Sequence, residues 1–171
     1  MRNWRREIIP ILIALMVVIA DQVTKHWAVE NLRAGDIVPL IGDLLRLRYA
    51  TNTGAAFGLF QDQGFVLAII ALVVVGVIML YYRRLPDQMF LVRISLGLQL
   101  GGAIGNLIDR LRFGGSVVDF IEFVLWPVFN LADAAIVAGV ALLAYHMIFL
   151  SSEGEKEEPA LDKANVVERE T

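Results

Sequence analysis

Apolar residues along this chain collect into four long runs rather than into stripes at helical spacing. The first extends from Ile8 to about Val29 and carries no charge before Asp21. The second, Gly64 to Tyr82, is uninterrupted and ends in Tyr81 and Tyr82, followed by Arg83 and Arg84. The third runs from about Met89 to Leu107, with Arg93 near its start and able to snorkel toward headgroups. The fourth runs from Leu131 to Leu150, with Asp133 near its start and His146 near its end. Each is close to the roughly 20 residues that a helix needs to cross a hydrocarbon core about 30 Å thick. No polar stripe recurs as it would on a soluble amphipathic helix. A cleaved signal peptide also fits the first run, since Val18 and Ala20 are small enough for a cleavage site. The three runs that follow favour a retained span, and four transmembrane helices are predicted.

The stretch between the first two runs, about residues 30–63, is too long for a plain loop. Ile37 to Leu40, a turn at Gly42 and Asp43, and Leu44 to Thr51 read as a β-hairpin. Leu45, Leu47 and Tyr49 alternate with Arg46 and Arg48, which gives one apolar and one cationic face. Such a sheet fits a membrane surface with its arginines near headgroups or a substrate, and equally a small packed sheet with no substrate role. Between the third and fourth runs, Phe120 to Phe129 (FIEFVLWPVF) reads as a flexible aromatic segment suited to the interface.

Composition supports the membrane reading. Hydrophobic residues make up 57% of the 171 and charged ones 19%, against about 45–50% and about 25% in a usual soluble domain. Cys is absent, which removes disulfides, thiol catalysis and cysteine zinc sites. The net charge of −3 excludes nucleic-acid binding through bulk positive charge. That net charge misleads, because Ser151 to Thr171 holds seven acidic and three basic residues. Taken from totals of 18 and 15, these leave 11 acidic and 12 basic, a net of +1. The chain thus divides into a four-helix domain, residues 1–150, and an acidic tail, 151–171, expected to be disordered. Arg2, Arg5 and Arg6 and the cluster Arg83, Arg84 and Arg93 fall on one side of a four-span chain, so both termini are expected in the cytoplasm.

With that topology, the polar groups in and beside the spans fall at one depth, near the outer surface. They are Asp21 and Lys25, then Asn106, Asp109 and Arg110, then Asp119, and finally Asn130 and Asp133. Ionisable residues in a membrane are costly and point to function by default. Each also has a plainer reading. Asp21 and Lys25 stand i,i+4 and suit an ion pair within one helix. Asn130 with Asp133 suits a helix N-cap. Asn106 and Asp109 suit a tie between helices, and Asp109 with Arg110 a neutralised pair. A Ser–His–Asp triad has only His26 and Ser116 to draw on, with no supporting turn. A Ser116–Lys25 dyad is a remote alternative. Two separated histidines exclude a zinc protease motif, and Gly101, Gly102 and Gly105 read as close helix packing rather than a nucleotide loop. An ion or proton path would need polar groups at successive depths, which the second and fourth spans do not supply. A pair of aspartates, Asp119 and Asp133, remains as general base and general acid if the flexible segment brings them together.

These residues stand in motifs. They are Asp21-Gln-Val-Thr-Lys25, Asn52-Thr-Gly54-Ala-Ala-Phe57-Gly58, Gly102-Ala-Ile-Gly-Asn106-Leu-Ile-Asp109-Arg110, Val117-Val-Asp119-Phe120 and Phe129-Asn130-Leu-Ala132-Asp133-Ala. In this order, over about residues 8–150, the chain resembles the lipoprotein signal peptidases, the type II signal peptidases of bacteria. The resemblance implies an all-α membrane protein: four transmembrane helices with a small extracytoplasmic β-cradle, acting as an aspartyl endopeptidase of the inner membrane. It implies diacylglyceryl-modified prolipoproteins as substrates, cut on the N-terminal side of the lipidated cysteine. Asp119 and Asp133 match the family's catalytic pair. Asp21, Lys25, Asn52, Gly54, Asn106, Asp109, Arg110, Asn130 and Ala132 match supporting or substrate-contacting positions. No metal or cofactor is implied. Membrane lipid and globomycin-type inhibitors are the other expected partners, and a monomer is the expected state. Asn106 and Arg110, one helical turn apart, are expected to align the peptide.

Overall fold

The computed structural model describes residues 4–32, 35–54, 59–82, 84–86 and 89–150. The acidic segment 151–171, Arg2, Arg33, Arg83 and motif residues 55–58 lie outside the described residues. Four helices have the length and apolarity to span a bilayer. They are α1 (Trp4–Asn31), α2 (Gly64–Tyr82), α3 (Phe90–Arg112) and α4 (Leu131–Tyr145), the last continued by a π-helical turn, His146–Leu150. Three strands complete the order: β1 (Val38–Ile41) and β2 (Leu45–Asn52) between α1 and α2, and β3 (Val117–Phe123) between α3 and α4.

Helix α3 is the centre of the bundle and packs against the other three. Half of its spanning window is buried, against 11–22% for the others, whose apolar side chains are left for lipid. Helices in lipid gain nothing from hiding apolar surface from one another, so they associate through close backbone approach and polar ties. The α3 glycines expected to pack closely do so. A Cβ on Gly105 would lie 2.6 Å from Asp21 Oδ2, and one on Gly102 would run into the carbonyl oxygen of Ala132. Both helices that carry site residues therefore lie directly on α3.

The expected hairpin is present as β1 and β2, joined in an antiparallel sheet of order β1-β2-β3. The third strand was not expected. Residues Phe120–Phe123 are strand rather than flexible segment, with Val117–Phe120 buried and only the stretch after Phe123 in turn and loop. The β-branched and aromatic residues of VVDFIEF after Gly114-Gly115-Ser116 are a local strand signal, but the buried half lacks the alternation that marked the hairpin and its partner β2 is distant in sequence. An irregularity between Leu47 and Ala50 shifts the register of β2 against β3. Before it Leu47 opposes Ile121, and after it Ala50 opposes Asp119 and Asn52 opposes Val117. A one-residue slip moves side chains to the other face of a strand. The bulge thus breaks the Leu45–Leu47–Tyr49 alternation and puts Asn52, not Thr51, on the face of Asp119.

One expectation about an arginine is corrected. Arg93 does not snorkel to headgroups: it is 1% exposed, donates to the Leu85 carbonyl at 2.7 Å and lies over the Tyr82 ring. The turn after α2 folds back on α3, and the buried guanidinium satisfies its carbonyl where no water reaches. Arg46 and Arg48 pair with Glu122 of β3 at 3.0 and 3.2 Å, so the cationic face is partly neutralised within the sheet.

Candidate active site

Lys25 is the hub of the buried polar layer. Its ammonium lies 2.9 Å from Asp21, 3.1 Å from Asp109 and 2.9 Å from Asn106 Oδ1. The Asp21–Lys25 pair within α1 is real, yet it extends to α3. Asp109 takes Lys25 as its partner, in place of the neutralised pair with Arg110. With its ammonium so committed, Lys25 offers no free amine to Ser116.

The two partner carboxylates each reach one further backbone amide. Asp21 Oδ1 accepts from Ala132 N at 3.0 Å, at the first turn of α4. Asp109 Oδ2 accepts from Val118 N at 3.0 Å, beside Asp119 on β3. Both carboxylates are therefore positioning groups, one for the helix that carries Asp133 and one for the strand that carries Asp119. Ala132 is fully buried and contributes its backbone. Gln22 joins them by donating to Asp109 Oδ1 at 2.9 Å and to Asp21 Oδ2 and the Gly105 carbonyl at 3.2 Å each. Sequence reasoning passed over Gln22, although a polar residue inside an apolar run beside Asp21 was the available signal.

Asn130 caps α4 and does more than cap it. The capping box is complete: Asn130 Oδ1 accepts from Asp133 N at 2.9 Å, and Asp133 Oδ2 accepts from Asn130 N at 3.3 Å. Its Nδ2 donates to Asp119 Oδ1 at 2.6 Å and to Asn106 Oδ1 at 3.1 Å. Asn106 donates in turn to Asp133 Oδ1 at 2.7 Å. Asn52 Nδ2 reaches Asp119 Oδ2 at 3.1 Å, while its Oδ1 accepts from Gly54 N at 3.0 Å. Arg110 lies 3.5 Å from the Gly54 carbonyl. Its Nε is buried with no hydrogen-bond partner among the described residues.

Asp119 and Asp133 both open onto one cavity of about 400 Å³, together with Asn52, Gly54, Asn106 and Arg110. Its lining is otherwise largely apolar, with Leu67, Ile70 and Val74 of α2 and Ile136 and Val137 of α4. Trp126 to Phe129 form its outer rim. Asp119 is 2% exposed. Burial, and then the negative charge of Asp133, push its carboxyl up to about 7, against the pull of Asn52, Asn130 and Lys25. Among the described residues no group of three His, Cys, Asp or Glu side chains is arranged to hold a metal ion. Two carboxylates facing one pocket with fixed amide donors, one of them with its proton affinity raised, are equipped to activate water on one side and protonate an oxygen on the other.

A family model described as signal peptidase (SPase) II matches residues 13–149. The chain belongs to the signal peptidase II family. It is 45% identical over 147 residues to the lipoprotein signal peptidase of Moorella thermoacetica, covering 86% of this chain and 97% of that one. It is 40% identical over 136 residues to that of Halothermothrix orenii, covering 80% and 92%. Among solved structures, a bacterial membrane enzyme crystallised in meso superposes with a TM-score of 0.78 at 31% identity, over 86% of this chain and 90% of that one. The protein is a multi-pass bacterial membrane protease, a signal peptidase II that processes prolipoproteins.

Proposed function

We propose that Asp119 and Asp133 are the catalytic pair of this signal peptidase II. In this reading it is an aspartyl endopeptidase that cuts diacylglyceryl-modified prolipoproteins on the N-terminal side of the lipidated cysteine. The observation that carries the proposal is the single cavity shared by the two carboxylates, in which Asp133 raises the proton affinity of Asp119. Asp133 sits in the first turn of α4 and accepts from Asn106 and from the Asn130 backbone. It takes a proton from a water molecule, whose oxygen bonds to the scissile carbonyl carbon. Asp119 gives its proton to the carbonyl oxygen. Collapse of the tetrahedral species breaks the C–N bond: Asp133 returns its proton to the leaving amine, and Asp119 takes back a proton from the hydroxyl that becomes the carbonyl of the new acid, which restores the pair.

Asn52, Asn130 and the Lys25 cluster hold the pair in place, and Arg110 and Asn106 face the peptide from the cavity wall. The unfilled Arg110 Nε supports that role, since a substrate carbonyl is a natural acceptor for it. The apolar walls between α2 and α4 suit a lipidated residue and the end of a signal helix arriving from the bilayer. The same cavity is where a globomycin-type cyclic lipopeptide would bind. Arginine-rich segments at the opposite end of the spans support cytoplasmic termini and an active site at the outer face. Residues 1–150 form the working domain, with 151–171 as a cytoplasmic tail, and the protein acts as a monomer.

The deciding experiment is cleavage of a diacylglyceryl-modified prolipoprotein by the wild type, Asp119→Asn and Asp133→Asn in proteoliposomes. Both variants are expected to lose turnover, and full activity in either one overturns the assignment.

A further inference from the structure

Outside the four spans, an edge of apolar side chains stands exposed at the end of the sheet. Leu40 and Ile41 of β1 are 54% and 60% exposed, and Leu44 in the following turn is 49% exposed. The turn after β3 adds Phe123 at 42%, Leu125 at 97% and Trp126 at 57%. These two turns form one edge, because Val124 N donates to the Leu44 carbonyl at 3.0 Å and Leu45 opposes Phe123. Within Ile37–Leu44 the one charge is Asp43 in the turn, and Phe123–Phe129 carries none. An exposed apolar patch of this kind marks a contact surface.

Leu125 sharpens the argument. Its φ of 67° places a branched, non-glycine residue in the left-handed region, a conformation that costs free energy. Glycine would adopt it freely, yet the position holds the most exposed large apolar side chain of the described residues. The strained turn holds this leucine outward, 97% exposed.

We propose that this edge is a membrane-embedded rim, seated in the interfacial layer of the outer leaflet beside the mouth of the cavity. Continuity with the lipid-facing surface identifies the occupant. The loop that ends this edge, Trp126 to Phe129, lines the same cavity as Leu67 in the first turn of α2 and Val137 in the second turn of α4. It therefore stands near the depth where the outer turns of those helices meet the headgroups. A tryptophan flanked by leucine and proline is suited to that layer, where its ring is half apolar and half wet. The rim surrounds the cavity mouth with acyl chains, so a lipidated residue enters without crossing water. That consequence rests on the proposed substrate reading, whereas the depth of the rim does not.

The chain has no cysteine, so Leu125→Cys carries a single nitroxide in proteoliposomes. The expected result is collision with dissolved oxygen well above that with a water-soluble nickel chelate, as for a label at Leu72→Cys on the lipid face of α2. A second arm removes the other two tryptophans, as Trp4→Phe with Trp27→Phe, leaving Trp126 as the sole emitter. Lipids brominated near the headgroup end of their chains are expected to quench it more strongly than lipids brominated near the methyl end. Nickel-dominated collision at position 125 overturns the proposal, whatever the tryptophan shows. Spin–spin broadening that vanishes on dilution with unlabelled protein assigns the edge to a second copy and overturns it too. Neither measurement depends on catalysis, so loss of the aspartate assignment leaves it intact.

Discussion

Asn130 holds Asp119 at 2.6 Å through the same side chain whose carbonyl oxygen caps the helix that carries Asp133. One amide thus sets the relative position of two carboxylates that come from different elements. Replacing it with alanine removes both functions. Asn130→Ala is expected to lose about 1 kcal/mol from the cap alone. Turnover should fall further than that loss of stability accounts for. Thermal unfolding in detergent, run beside prolipoprotein cleavage, separates the two effects. Unchanged turnover with a lowered Tm would leave Asn130 a simple cap.

The raised proton affinity of Asp119 sets a pH dependence of stability with a definite sign. Its folded pKa of about 7 lies above the ordinary 3.8, so the folded state binds more protons between those values. Stability from this group is full below the lower value and falls as pH rises toward the upper one, by on the order of a few kcal/mol. Above about 7 it is level. Asp119→Asn is expected to flatten the Tm profile across that window. Asp133→Asn should move its end point downward without abolishing it, because burial is the larger cause and the Asp133 charge the second. Turnover of the wild type is expected to decline as pH rises through the same value, where Asp119 loses the proton it donates.

Lys25 neutralises two buried carboxylates, and its removal leaves both without a counter-ion. Lys25→Met is expected to destabilise the protein by about 3–5 kcal/mol. Adding Asp109→Asn to that variant should recover part of the loss, since one stranded charge is removed. Equilibrium unfolding in mixed micelles reads both variants. An additive double mutant would show that Lys25 and Asp109 do not act together.

Close approach of helices predicts a contrast between glycines. Gly105→Ala forces a methyl group against Asp21 and is expected to cost about 1–3 kcal/mol, with loss of activity as the Lys25 cluster shifts. Gly76→Ala meets nothing within 4 Å on α2 and is the matched control. It should leave stability and cleavage as they are. Equal effects at the two positions would remove the packing argument.

The sequence by itself determined the spans, the hairpin, the chemistry and the family. Four apolar runs of bilayer length admit few other structures, because an unsatisfied backbone in lipid forces helices. The hairpin showed in its turn residues and alternation. Asp, Lys and Asn in and beside those runs are too costly to be incidental, and Asp21, Lys25, Asn106, Asp109, Asn130 and Asp119 are all buried in the structure.

What only the tertiary structure decided is which partner each residue takes. Lys25 fitted an ion pair within α1, and packing made it the link from α1 to Asp109 and Asn106 of α3. Phe120 to Phe123 read as the start of a flexible segment, and they continue the strand that carries Asp119. Strand β3 lacks the alternation that marked the hairpin, and its hydrogen bonds go to a segment far away in sequence. The bulge in β2 then decided that Asn52 faces Asp119, a choice that alternation alone gets wrong by one residue. Arg93 read as a snorkelling cation and is instead enclosed by the turn after α2. Residue type fixes what a side chain can do at a given cost, while long-range pairing and close helix approach fix which groups lie within hydrogen-bond reach.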